Sequence, residues 1–216
     1  MGDVRTCAHC GAAFEPRREH ARFCSASCRV AWNSERLGDP SVGPNALVWS
    51  VTAMSEMARQ LPRIRACDRP EAFLVIGEMV WWVTLVDATL VRYHTGAYDR
   101  VRAGYPPARR RQVDRTLGGL RFVRNRMSRD TGCAGFVVPA GDPVTAWRWR
   151  PAAAPPLAAL RPRGRAWELS RYQDYQAQLA GRTVGETFAA AEAFLQRAAD
   201  AASVTEGAGE RHYAGT

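Results

Sequence analysis

Cys7-Ala-His-Cys10-Gly11 and, after a short basic stretch, Cys24-Ser-Ala-Ser-Cys28 decide how the amino-terminal part of the chain folds. A tetrahedral Zn²⁺ takes four soft donors at ~2.3 Å, and two close cysteine pairs joined by a short loop supply them without strain. The first pair reads as a knuckle, because Gly11 lets the backbone turn back and aim its amides at the thiolates. On a helix, Cys24 and Cys28 share one face, and the positive end of the helix dipole favours both sulfurs as thiolates. The expected metal ligands are therefore Cys7, Cys10, Cys24 and Cys28. The zinc is expected to be structural, since four protein thiolates leave no position open for water. The alternatives are disulfides or unrelated free thiols, and His9 or His20 standing in for a cysteine. With four cysteines at suitable spacing, both histidines are expected on the surface.

Knuckle plus helix start is a treble-clef arrangement. Together with Phe14-Glu-Pro and the run Ala21-Arg-Phe-Cys24-Ser-Ala-Ser-Cys28-Arg29, the cysteine pairs resemble the FCS-type, or MYM-like, zinc fingers common in bacterial proteins. The likeness covers about the first 36 residues.

The chain has 216 residues and a net charge of +9, and all thirty of its basic residues are arginine. An arginine-only basic set is what GC-rich coding of the actinobacterial kind produces, so its origin is not in itself functional. Its physical effect remains, because guanidinium forks bind phosphate bidentately and stack on bases. An anionic partner, nucleic acid above all, fits that composition. No apolar run follows Met1-Gly-Asp-Val-Arg5, so no secretory leader is read there, and a cytoplasmic, reducing setting is expected in which Cys67 and Cys133 are buried thiols. The apolar stretch from Phe73 to Val91 contains Glu78 and Asp87, which favours a buried core helix over a membrane span.

The chemistry of the residues divides the chain into a finger over 1–37, a linker over 38–44, a helical bundle over 45–202 and a disordered tail over 203–216. Leu47, Val51, Met54, Ala58 and Leu61 recur at helical spacing until Pro62. Asp68-Arg-Pro-Glu71 carries the residues of a helix start, and that helix runs to about His94. After Tyr105-Pro-Pro107, a third helix aligns Val113, Leu117, Leu120, Val123 and Met127, with arginines spread around the rest of its surface. Residues near 136–150 predict a hairpin that places Trp147 and Trp149 on one side, to cover an end of the core or to stack on unpaired bases. Trp167, Leu169, Tyr172, Tyr175 and Leu179 mark a further helix closed by Gly181. Thr183-Val-Gly-Glu186 then opens the last one, lined by Phe188, Ala191, Phe194, Leu195 and Ala198.

Leu120-Arg-Phe-Val-Arg124-Asn125-Arg-Met-Ser128-Arg-Asp130 resembles the third-helix region of HEPN-type bundles, many of which are metal-independent ribonucleases acting as dimers. That likeness implies a bundle, allows a homodimer, and makes Arg124 and Asn125 candidate catalytic residues. The histidine the family carries shortly after them is missing, and Ser128, Arg129, Asp130 and Thr131 cannot replace it as proton acceptor and donor near neutral pH. His94 is the one histidine that folding could bring near. The ordinary role for Arg124 is pairing with Glu78 or Asp87 of a neighbouring helix.

The expected fold is mainly α: a small four-cysteine treble-clef zinc finger followed by an antiparallel helical bundle with a short inserted β-hairpin. The expected function is binding of nucleic acid, RNA or DNA, through Arg17, Arg18, Arg22 and Arg29 of the finger with the arginine-rich helix of a non-catalytic bundle. The alternatives are a HEPN-like ribonuclease and a regulator whose finger binds another protein. No membrane partner is expected.

Overall fold

A computed structural model describes residues 4–16, 21–25, 27–29, 32, 43–63, 69–127, 135–140, 146–153 and 162–213. The chain divides into two compact units, Met1–Ala46 and Leu47–Thr216. In the first, β1 (Arg5–Thr6) pairs antiparallel with β2 (Ala13–Phe14), Arg5 opposite Phe14. Residues 27–29 are helical, so the knuckle precedes a helix start as the sequence predicts.

The second unit is a helical bundle with one inserted hairpin. Its elements are α1 (Gly43–Gln60, which begins in the first unit), α2 (Arg69–Tyr93), α3 (Thr95–Ala103), α4 (Pro107–Met127), β3 (Val137–Ala140), β4 (Ala146–Trp149), α5 (Pro162–Gln178) and α6 (Val184–Tyr213). Helix α1 stops where Pro62 enters a 3₁₀ turn, Leu61–Arg63, since proline cannot donate the next helical hydrogen bond. Thr183 precedes α6 and its hydroxyl accepts the Glu186 N–H at 3.3 Å, the cap expected there.

Two features differ from the sequence reading. α3 was not expected: it is short and mostly polar, and only Ala97 and Tyr98 of it are buried, so it offers little periodicity to read. α6 continues to Tyr213, through the stretch expected to be a disordered tail, because no proline interrupts it and alanine and glutamate favour the helix. The linker residues 38–42, the hairpin turn at 141–145, and Cys67 and Cys133 lie outside the described residues.

The core stripe of α4 is the one expected: Val113, Leu117, Leu120 and Val123 are buried and Met127 packs against them. α2 meets α4 antiparallel, because Trp81 lies by Arg124 whereas Asp87, farther along α2, lies by Arg121, nearer the start of α4. α5 also runs antiparallel to α4, and the approach is close. A Cβ added at Gly119 would stand 2.7 Å from Leu179 Cδ1 and 3.0 Å from the Tyr175 Cα, so Gly118-Gly119 is a packing surface, not a phosphate loop.

The hairpin closes one end of the core. Trp147 and Trp149 both point inward, at 6% and 0% exposure, which decides for core packing over base stacking. Trp149 lies edge-on to Tyr175 and Phe188, and its indole N–H donates to the Thr187 hydroxyl at 3.0 Å. The Gly181 N–H donates to the Trp149 carbonyl at 2.8 Å and the Trp149 N–H to the Arg182 carbonyl at 3.0 Å, which ties β4 to the turn between α5 and α6.

α2 is long and apolar enough to cross a membrane by length and composition. Half of its most apolar stretch is buried inside the protein, and the helix carries fully buried Asp87. Asp87 accepts from Arg121 of α4 and, at 3.0 Å, from the Tyr98 hydroxyl of α3. Burial raises the Asp87 pKa above its ordinary 3.8, while the Arg121 charge pulls the other way.

Gly119→Ala should lower stability by about 1–3 kcal/mol in urea denaturation, because the contact is with backbone and the helices must separate, although alanine itself favours helix. Asp87→Ala should cost about 3–5 kcal/mol by stranding the partly buried Arg121 guanidinium. The folded protein binds a proton at Asp87 more readily than the unfolded chain, so this group's contribution to stability is greatest below 3.8 and is lost as pH rises through the raised value. Wild type should accordingly gain on Asp87→Asn as pH falls from neutrality toward 3.8, measured by urea midpoints across that range.

Candidate functional site

The four cysteine sulfurs converge. One ligand atom from each of Cys7, Cys10, Cys24 and Cys28 lies within 4.8 Å of the others. Cys10 Sγ stands 3.7 Å from Cys24 Sγ, and Cys24 Sγ 3.5 Å from Cys28 Sγ. A tetrahedron with metal–sulfur bonds of ~2.3 Å has edges of ~3.8 Å, so the donor set has the size of a four-thiolate metal centre. His9 is not part of this group, and His20 lies outside the described residues.

The backbone explains the convergence. The Gly11 N–H donates to the Cys7 carbonyl at 3.0 Å and the Cys7 N–H to the Ala12 carbonyl at 2.9 Å, which folds the knuckle. Gly11 has a φ of 71°, in the left-handed region where a side chain would be strained. The second pair is brought in by the Ala8 N–H, which donates to the Arg22 carbonyl at 2.9 Å, and by the Cys24 N–H, which points at Cys7 Sγ at 3.4 Å. Ser25 begins the helical turn, its hydroxyl accepting the Cys28 N–H at 3.1 Å.

The sulfurs differ in proton affinity. Backbone N–H groups of Cys10 and Cys24 stabilise the Cys7 thiolate and lower its pKa from 9.0 to about 6. Cys24, crowded by the Cys28 and Cys10 sulfurs, is pushed up to about 12. Four thiolates at these separations repel one another, and a bound divalent cation is what would hold them all deprotonated. Four close cysteines can therefore hold a metal ion.

The finger arginines are placed only in part. Arg22 lies 5.9 Å from the ring centroids of both Phe23 and Trp32, and Arg29 sits in the helical turn after Cys28. Arg17 and Arg18 lie outside the described residues.

In the bundle, Arg124 and Asn125 line a cleft of about 320 Å³ with Gly77, Val80, Trp81 and Met127. The Arg124 guanidinium stands 4.7 Å from the Trp81 ring centroid, a cation–π contact, and Asp87, an expected partner of Arg124, is taken by Arg121. No histidine among the described residues lines this cleft. The helix from Trp81 to Tyr93, beside His94, is about 18 Å long, and Ser128–Thr131 lie outside the described residues. Among the described residues, Arg124 is thus set in an aromatic and apolar surround.

Sequence reasoning missed the exposed tryptophans on the bundle. Trp49 is 69%, Trp81 50% and Trp167 45% exposed, although the last two sit in helices that pack other aromatic residues inward. The available signal was position: Trp81 follows Leu74 and Glu78 on one outward stripe of α2, off the core-facing line of Ile76, Val80 and Val83.

The chain matches no protein-family model, no curated protein and no solved structure. Removing a cysteine should expose the metal site directly. Purified protein is expected to carry one equivalent of tightly held metal by elemental analysis, and Cys24→Ser to lose most of it, since three thiolates and a hydroxyl bind a soft cation far less well.

Proposed function

We propose that this is a cytoplasmic, zinc-stabilised protein that binds nucleic acid through arginine, with a bundle that does no chemistry of its own. Zinc is favoured by the all-thiolate donor set and by the sulfur–sulfur separations. The ion would be structural, folding a segment with only a few apolar side chains. A gain of metal therefore appears as a gain of finger fold.

Surplus guanidinium charge on one helix carries the nucleic-acid reading. Along α4, Arg102 of α3 neutralises Asp114 and Arg121 neutralises Asp87, but Arg111, Arg115 and Arg124 have no carboxylate at ion-pair distance among the described residues. Such charge on an already basic chain attracts a polyanion and releases its counterions. Arg22 and Arg29, with Arg17 and Arg18, would add a second patch on the finger. A protein partner for the finger would not require this charge on the bundle.

The test is titration of zinc-loaded protein with fluorescein-labelled RNA and DNA, single- and double-stranded, at about 50 and 200 mM salt. Binding should weaken by tenfold or more over that interval, with no cleavage of the strand. Salt-insensitive binding, or none, would refute the reading, and product ends lost in Arg124→Ala would make the bundle a nuclease.

A further inference from the structure

The outer face of α4 is the floor of a groove. Leu117, Arg121 and Arg124 turn toward α2, and Gly119 and Phe122 toward α5. By helical spacing, positions 114, 118 and 125 lie between those two sets, on the side opposite Val113, Leu120 and Val123, with Gly118 buried under α5 side chains. Arg171 of α5 reaches over this side: its guanidinium would lie 2.8 Å from a Cβ at Gly118, and it pairs with Asp174 at 3.2 Å. Arg171 also lowers the proton affinity of Asp87 on α2, and Arg121 that of Asp174 on α5, as charges close to the same gap do.

Each wall of the groove carries one exposed indole with a guanidinium beside it. On α2 it is Trp81 with Arg124 at 4.7 Å, and on α5 Trp167 with Arg171 at 5.7 Å. The two stand toward the same end. Arg124 is near the carboxyl end of α4, and Trp167 lies one turn before Arg171, where antiparallel α5 runs toward that end. Toward the start of α4, about 14 to 20 Å away, Arg115 and Arg111 add charge on its α5 side, Arg115 close enough to Asp174 to lower the proton affinity of that carboxylate.

Resting on the nucleic-acid reading above, we propose that this groove binds a single-stranded segment of nucleic acid, with unpaired bases stacked on Trp81 and Trp167 and phosphates met by Arg124, Arg115 and Arg111. Exposed ring faces reach bases only when those bases are unpaired, which selects single strands over duplex. Guanidinium beside each ring supplies the cation next to the stack, where the backbone of a bound strand runs. A second copy of the chain is disfavoured as occupant, because its net charge of +9 meets the same surplus. An apolar protein segment would leave the arginines facing it without counter-charge.

The experiment is fluorescence anisotropy of the full zinc-loaded chain with a labelled oligouridine or oligothymidine of about 15 nucleotides, and with a duplex of equal length. Trp81→Ala and Trp167→Ala should each weaken single-strand binding roughly 5- to 150-fold, and Trp81→Phe should restore most of the loss. Arg124→Ala should reduce the salt slope by about 0.7. Duplex binding should be unmoved by the tryptophan changes. Both indoles are about half exposed, so urea midpoints close to wild type will show that the variants fold.

Wild-type binding with no loss in either tryptophan variant would overturn the groove and leave nucleic-acid binding to the finger. A wild-type chain that binds neither strand form would overturn this inference together with the reading it rests on. A self-associated species lost in Trp81→Ala would also overturn it, by making the face an interface between copies.

Discussion

Asp87 is a carboxylate with no exposed surface in the most apolar helix of the protein, and the bundle is arranged around satisfying it. Left alone in such a place it would be neutral or would destabilise the fold, so its charge requires partners. Arg121 supplies the counter-charge from α4 and Tyr98 a hydroxyl from α3, and these bonds fix the register of three helices at one level. A slip of α4 that brought Leu117 to the place of Arg121 would leave the charge unmatched, whereas purely apolar contacts along Val113, Leu117 and Leu120 would tolerate it better. The geometry above α4 follows: with Arg121 drawn to α2, Arg171 of α5 is the guanidinium that reaches over α4 at Gly118.

Close packing at Gly119 is the second constraint, of the opposite kind. It makes no polar bond, but lets the backbones of α4 and α5 approach until Tyr175 and Leu179 fill the space where a side chain would be. Phe122, one turn on, then stacks among Phe136, Tyr172 and Tyr175, which brings the hairpin into the same aromatic cluster. Tyr175 also donates its hydroxyl to the Arg150 carbonyl, so one residue joins helix packing to the hairpin's exit.

Periodicity made much of this legible. The stripe from Val113 to Met127, the inward pair Trp147 and Trp149, and the four cysteines each follow from spacing that one kind of local structure satisfies. The rest depended on what packs against what. Arg121 and Arg124 lie one turn apart on α4, and only the placement of α2 shows that the first takes the carboxylate and the second the indole. α3 carries too few apolar residues to announce itself, and is held by Tyr98 and by the ring of Phe194 at 5.0 Å. Trp81 and Trp167 show as surface residues only once the core-facing line of each helix is known, since tryptophan is highly buried on average. For the convergence of the four cysteines the sequence sufficed, since their spacing carries most of the geometry there.

The seam between β4 and the turn at Gly181–Arg182 bears on the order in which the protein can assemble. Synthesis delivers Phe122, Phe136 and Trp149 well before the residues that cover them, because Tyr175 and Phe188 come from α5 and α6. Until that turn leaves the ribosome, the hairpin has neither its backbone partners nor its aromatic neighbours. The bundle therefore cannot consolidate from its amino end alone, and the emerging chain carries a sticky aromatic surface that only its last two helices remove.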